Sequence, residues 1–274
     1  MTDEILQQPA RRLPVLEIAG RSYSYVWDNR GLLLPPLAVV FLIQYIVAVA
    51  GKLGEGDKDW TQSLSLLAVS IAGIIGLMTF AVGLHRTILL REVRQGIVFL
   101  RWDTHLRHYG WTWFKIFVLA IGCAITLAFG GGIVAGLMHF EAKWKAIAIG
   151  IAALAAVGAL VVPRSVLALP AAALDQTGPI YQSWRITQGN WLRMIGVLVL
   201  ATLPFLVLAV LLELPVLAAT AMSKLVPNMA EALISLKYVL MGFSAALRAV
   251  STAVLTVTLS LSYDALATRP ESPE

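Results

Sequence analysis

Two opposite charges, Arg248 and Glu213, stand in or beside long apolar stretches of the chain. Arg248 interrupts the last such stretch, from about Tyr238 to Tyr263. At the helical rise of about 1.5 Å per residue, it lies ~24 Å from Asp264. By the same measure Glu213 lies ~30 Å from Arg193. Charges at similar depth in an apolar environment are favourable when they pair, so the sequence predicts a Glu213–Arg248 ion pair. The alternative is that each side chain reaches the outer surface separately.

A second set of residues has the chemistry of phosphate recognition, in which arginine binds oxygen atoms in pairs and tryptophan lies at headgroup depth. The candidates are anchoring or lipid-binding residues at one end of predicted spans: Arg86, Trp113, Lys115, Arg164, Trp191 and Arg193. The first three recur as the last three at a constant offset of 78 residues. This offset indicates a repeat of one interfacial helix and two spans, or a coincidence of loop lengths. Arg248 does not extend it to a third copy.

The remaining reactive residues predict no catalytic or metal centre. His105 and His108 have a spacing that metal ligands use, with Asp103 nearby, but they belong to a basic interfacial stretch. The sequence has no P-loop, no H-E-x-x-H, no G-x-S-x-G and no cysteine cluster. We therefore expect a protein that is not an enzyme and that needs no metal and no cofactor.

The composition is that of a membrane protein. Apolar residues make up 58% of the 274 positions, charged residues only 14%, and the mean hydropathy is +0.78. A soluble surface needs more charge than this. The net charge of +5 is best explained by basic residues that face anionic lipid, and nucleic acid is not expected as a partner.

Six stretches are long enough to cross a bilayer as helices. The predicted fold is therefore all-α, a polytopic bundle of six transmembrane helices in a single domain over residues 1–274. The predicted spans are about 31–51, 62–85, 114–140, 145–170, 192–214 and 239–263.

Basic residues predict the orientation of these spans. One side holds 13 arginines, with Lys115 near it, and the other holds six lysines. The positive-inside rule places the arginine side, the 1–30 segment and the 264–274 tail in the cytoplasm. We expect the inner membrane of a bacterium. Tryptophans fall at the predicted span boundaries: Trp27, Trp102, Trp111, Trp113, Trp184 and Trp191 at inner ones, Trp60 and Trp144 at outer ones.

The inner connections mix apolar and basic residues, which predicts amphipathic helices in the cytoplasmic interface. They include the segments 96–109 and 172–190. Pro163 and Pro170 predict a kink in the fourth span. In the third span, Gly132 and Gly136 form a G-x-x-x-G, which favours packing of spans three and four over a homodimer seam.

Several motifs carry a family resemblance. They include Pro163-Arg164-Ser165, the stretch 168–175, Ser183-Trp184, Thr187-Gln188-Gly189-Asn190 with Trp191 and Arg193, His85 to Leu90, and Ser262 to Leu266. Over residues 84–200 the chain resembles the YciC-type inner-membrane proteins and the membrane domain attached to some bacterial glycerophosphodiester phosphodiesterases. The resemblance implies a polytopic domain without catalysis of its own, because the phosphodiesterase domain is lacking here.

Together these patterns predict a non-catalytic inner-membrane protein that engages anionic membrane lipids, a protein partner or a second copy of itself. The alternative is a transporter or channel for a small or lipid-like solute, with a path near Arg248, Glu213 and the kink in the fourth span.

Overall fold

The protein is all-helical throughout the part that the computed structural model describes, which is residues 12–53, 60–92, 103–137, 142–225 and 230–267. No strand occurs in these ranges. Their helices are α1 Val15–Asp28, α2 Arg30–Leu53, α3 Trp60–Leu89, α4 Thr104–Leu137, α5 Ala142–Leu160, α6 Val162–Ser165, α7 Ala168–Ala173, α8 Pro179–Ile186, α9 Trp191–Leu225 and α10 Ala230–Ala267.

Six stretches of these helices are long and apolar enough to cross a membrane. They are Arg30–Ala50, Ser63–Leu89, Thr104–Gly130, Ala148–Ala173, Trp191–Pro215 and Ser235–Ala267. Large apolar side chains such as Phe129 and Leu192 are exposed along them, as expected where hydrocarbon is the solvent. The chain is therefore a multi-pass membrane protein with the predicted all-α bundle architecture.

The third span begins earlier than the sequence indicates. Residues 104–109, expected in a separate interfacial helix, form the first turns of α4, and residues 96–102 of that segment lie outside the described ranges. Asp103 explains the start, because its carboxylate accepts a hydrogen bond from the backbone N–H of Leu106 at 3.1 Å. Gly110 precedes the apolar run but does not end this helix, which continues into the span.

The fourth span is broken, as the prolines predict. Helix α5 ends at Leu160, and two short helices, α6 and α7, complete the stretch. Pro163 lies at the start of α6, where its missing N–H costs least, and Pro170 lies inside α7. Arg164 lies in α6, which packs against α5 and α8.

The described residues form two compact units. The described residues of the first unit lie within Met1–Ile18, Asp103–Leu198 and Leu259–Glu274. Within it α4 packs against α5 and α7, and α8 packs against α6 and α7. The Tyr263 hydroxyl donates a hydrogen bond to Gln176 Oε1 at 2.6 Å. This unit thus gathers the predicted inner ends of spans three to six.

The described residues of the second unit lie within Ala19–Trp102 and Val199–Thr258. Within it the Tyr23 hydroxyl donates to the carbonyl oxygens of Leu200 at 3.0 Å and Ala201 at 2.8 Å. The Tyr23 ring stacks on Phe205, with centroids 6.0 Å apart. Burial raises the pKa of the Tyr23 hydroxyl above its ordinary value, so it stays a donor. These contacts fix α1 to α9.

Helices α2 and α3 pack against each other through two glycines of α3. A Cβ atom on Gly73 would lie 3.1 Å from Val47 Cγ2, and one on Gly76 would lie 2.6 Å from Ile43 Cδ1. The absence of a side chain at both positions lets the helices approach closely, which is how spans associate in lipid.

Candidate functional site

The Arg164 guanidinium lies over the faces of two tryptophan rings. Its Cζ atom is 5.5 Å from the centroid of Trp184 and 5.6 Å from that of Trp191. Each contact is a cation–π interaction, worth about 0.5–2 kcal/mol depending on exposure. The sequence predicts Arg164 and Trp191 as interface residues, and the structure brings these two together.

Hydrogen bonds between α6 and α8 hold this arrangement in place. The buried Ser183 hydroxyl donates to the carbonyl oxygen of Arg164 at 2.5 Å. The indole N–H of Trp184 donates to Ser165 Oγ at 3.0 Å. Backbone and ring are therefore both fixed, so the Arg164 side chain meets a preorganised indole surface.

The turn from α8 to α9 positions the second ring. Thr187 donates from its hydroxyl to the Ser183 carbonyl at 2.8 Å, and Gly189 has a φ of 80°. That left-handed conformation favours glycine. The backbone N–H of Asn190 then bonds to the Thr187 carbonyl at 2.9 Å, and α9 begins at Trp191.

A segment near the N-terminus is bound beside this turn. The Asn190 side-chain oxygen accepts from the backbone N–H of Leu13 at 3.0 Å. Arg193 donates to the carbonyl oxygen of the same residue at 3.1 Å. Leu13 is buried, and a buried backbone needs partners for its polar groups. Asn190 and Arg193 supply both of them.

The arginine and its two rings border a cavity of about 860 Å³. Its lining includes a second cation, Arg185, and no carboxylate. The other lining residues are Ile180, Tyr181, Trp184, Gln188, Gly189 and Trp191. The volume lies within the range of ordinary ligand sites, about 300–1,000 Å³. Two cations without a counter-charge make the cavity electropositive.

The Arg164 guanidinium has no protein acceptor among the described residues, although it is half-buried. Its planar N–H groups match the oxygen pairs of phosphate or carboxylate. The indole rings, Tyr181 and the neighbouring exposed Leu192 supply apolar area next to that charge. The cavity can therefore bind an anionic group that is attached to an apolar body.

The three residues that precede Arg164, Trp191 and Arg193 by 78 positions lie in different surroundings. Arg86 forms a bidentate ion pair with Glu92, with nitrogen–oxygen distances of 2.6 and 3.2 Å. The Trp113 ring stacks on Phe117 at 5.4 Å, and the Lys115 ammonium lies 5.4 Å from the Trp111 ring centroid. The charge of Arg86 is therefore compensated by Glu92, and Lys115 is exposed.

The other predicted residues are not brought together. Glu213 and Arg248 are both exposed, and no ion pair within 4 Å joins them in the described part of the chain. Gly132 and Gly136 lie on α4, which packs against α5, but their surroundings are outside the described residues. Residues 1–11 of the predicted cytoplasmic interfacial segment 1–30 and residues 268–274 of the predicted cytoplasmic tail also lie outside them.

The histidine pair has a protein partner. Nδ1 of His105 contacts the Asp175 carboxylate, and Nδ1 of His108 lies 3.8 Å from its other oxygen. Asp175 follows α7 with a φ of 57°, so this contact ties α4 to the turn after α7. Among the described residues no group of three or more histidine, cysteine, aspartate or glutamate side chains is arranged to bind a metal.

The sequence predicts Trp184 at the inner boundary of a span. It does not assign Trp184, Arg185, Tyr181 or Gln188 to a binding site. A signal was present, because two tryptophans flank a Gly-containing turn beside a helix that bears Arg185. What the sequence does not show is that Arg164, next to the break in span four, lies over the rings of Trp184 and Trp191. Comparison with known proteins adds nothing to this geometry, since no family model, curated protein or solved structure matches the chain.

Proposed function

We propose that this chain is a non-catalytic membrane protein that binds the headgroup of an anionic phospholipid in the cavity around Arg164. The observation that carries the proposal is the half-buried Arg164 guanidinium, which lies over two indole rings and has no protein acceptor in the described ranges. The phosphodiester of the lipid supplies oxygen atoms as acceptors for Arg164. The acyl chains of the lipid supply apolar contacts for Tyr181 and Leu192.

The contrast with Arg86 supports this assignment. Arg86 is the counterpart of Arg164 in the predicted repeat, 78 residues earlier, but Glu92 neutralises its charge through two hydrogen bonds. A headgroup phosphate would have to displace a carboxylate there. At Arg164 it would meet two cations instead, because Arg185 borders the same cavity. A phospholipid phosphate is therefore expected to bind at Arg164 and not at Arg86.

The test is native mass spectrometry of the full-length protein, purified in a maltoside detergent with phosphatidylglycerol and phosphatidylcholine added in equal amounts. We expect the wild type to retain phosphatidylglycerol. Arg164→Gln removes a charge-assisted contact worth about 1.5–3 kcal/mol and should lower retention about tenfold or more. The matched control is Arg107→Gln, which removes an exposed arginine that does not border the cavity.

Equal phosphatidylglycerol retention by wild type and Arg164→Gln would contradict the proposal. So would equal losses in Arg164→Gln and Arg107→Gln, because net charge alone would then explain the binding. A co-purifying subunit that Arg164→Gln releases, without any lipid effect, would indicate a protein partner in place of the lipid.

We further propose that the chain lies in the inner membrane of a bacterium. The Arg164 cavity would then be on the cytoplasmic side. The excess of arginine at the ends of the spans supports this orientation, as does the resemblance to YciC-type proteins. In a Cys123→Ala background, the Gln188→Cys variant should react with an impermeant maleimide only after cells are permeabilised. The Trp60→Cys variant should react in intact cells. The reverse pattern would overturn the orientation.

A further inference from the structure

A second cavity, of about 420 Å³, is bordered by side chains of α2, α9 and α10. Its polar lining consists of Arg248 with Gln44, Thr202, Ser244, Ser251 and Thr252. Its apolar lining includes Phe205, Leu206 and Leu247. All of these residues belong to the second compact unit, whereas the Arg164 cavity belongs to the first.

This cavity lies within the membrane-spanning lengths of its helices. Along the span Ser235–Ala267, Arg248 is ~20 Å from the first residue and ~28 Å from the last. Gln44 lies ~21 Å beyond Arg30 on α2. A hydrocarbon core is about 30 Å thick, so the guanidinium is attached to the backbone well inside it.

Arg248 brings a charge to this depth without a protein counter-ion. No carboxylate lies within 4 Å of it in the described part of the chain, and the cavity lining contains no acidic residue. Its helix neighbour Thr252 donates its hydroxyl hydrogen to the Arg248 carbonyl at 2.8 Å. A cation in a medium of low dielectric constant is stabilised by an anion, and such residues mark ligand sites by default.

The two kinds of lining indicate the chemical class of that anion. The cavity is lined by the arginine with five other polar side chains and by Phe205, Leu206 and Leu247, which we call the apolar wall. Along α9 the neighbouring Val207 and Leu208 are exposed, as expected of a lipid-facing surface. A ligand that enters from the bilayer would bring an alkyl chain with a small anionic end. A carboxylate matches the guanidinium in oxygen geometry and is smaller than a phospholipid headgroup.

We propose that this cavity binds a single-chain carboxylate amphiphile, such as a long-chain fatty acid. The carboxylate accepts hydrogen bonds from the Arg248 guanidinium, the Gln44 amide and the hydroxyls of Ser244 and Ser251. The alkyl chain lies on the apolar wall and extends toward the lipid. This site does not depend on the lipid-headgroup function proposed for Arg164.

The probe is cis-parinaric acid, a fluorescent fatty acid, titrated at pH 8.5 into full-length protein in phosphatidylcholine nanodiscs. Nanodiscs without protein give the background. We expect saturable binding that stearate competes for, with the methyl ester of the probe binding at least about tenfold more weakly. Arg248→Gln should weaken the acid about tenfold and leave the ester unchanged.

The matched control is Lys237→Gln, which removes a cation from the same helix that does not border the cavity. It should bind the acid as the wild type does. A second variant, Ala209→Phe, fills the cavity and should abolish saturable binding while Arg248 remains.

Equal affinities of acid and ester for the wild type would overturn the proposal. Equal binding of the acid to wild type and Arg248→Gln would do so as well. If butyrate competes as well as stearate, the ligand class is a small anion and the amphiphile proposal is wrong. If Arg248→Gln does not fold, the acid–ester comparison and Ala209→Phe still decide the question.

Discussion

The Glu92→Gln variant should unfold at a clearly lower temperature than the wild type, because it leaves the Arg86 charge without its bidentate partner. The Arg86 side chain is only 11% exposed, and that of Glu92 is 35% exposed. Removing one partner of a buried pair costs about 3–5 kcal/mol. The partial exposure of Glu92 reduces this, and we expect a loss of about 1–3 kcal/mol.

A double-mutant cycle separates the ion pair from other effects of each substitution. The cycle combines Arg86→Met with Glu92→Gln and follows reversible unfolding in mixed micelles. We expect a coupling energy of about 1–2 kcal/mol, so the double variant is more stable than the sum of the two losses predicts. The control cycle pairs Arg248→Met with Glu92→Gln, because Arg248 has no ion pair within 4 Å in the described ranges. Additive losses in the Arg86 cycle would show that the pair contributes nothing to stability.

The Gly76→Leu variant should also be strongly destabilised, because its side chain would occupy the space that Ile43 fills. The Cβ atom alone would lie 2.6 Å from Ile43 Cδ1, closer than real Cβ contacts allow. Ile43 can rotate away from a methyl group, but a leucine side chain also has to displace the face of α2. Overpacking of this kind costs about 1–3 kcal/mol, and we expect it to appear as a lower midpoint of thermal unfolding in detergent.

Gly122→Leu is the matched control for this close approach. Gly122 also lies within a span, on α4, and a Cβ atom there would meet nothing within 4 Å. Since leucine favours helix more than glycine does, this variant should be as stable as the wild type or more stable. Similar midpoints for Gly76→Leu and Gly122→Leu would refute the packing role assigned to Gly76.

The spans could be predicted because hydrophobicity is a property of a local stretch of sequence. Each of the six predicted spans overlaps one of the six apolar helical stretches, and the prolines at 163 and 170 correctly indicated the broken fourth span. The start of the third span could not be predicted as well. Basic residues near His105 suggested a separate interfacial helix, whereas the helix that begins after the cap at Asp103 continues through Gly110 into the span.

The candidate site could be predicted only in part, because its electrostatics depend on contacts between distant residues. Arg86 and Arg164 look equivalent in sequence, but one has Glu92 beside it and the other has two indole faces. Nothing in the spacing distinguishes these outcomes. Likewise, a similar depth along two helices does not place Glu213 beside Arg248, since the facing sides of the helices are set by packing.

The hydrogen bonds from Asn190 and Arg193 to Leu13 have a consequence for the order of assembly. Their closure joins positions 177 and 180 residues apart in the chain. A ribosome that adds about 5–20 residues per second needs roughly 10–35 s to make that length. During this time the backbone of Leu13 must find other acceptors and donors, so its docking is among the later steps of biogenesis. A chain truncated before position 190 would lack Asn190 and Arg193, the two residues that bind the backbone of Leu13.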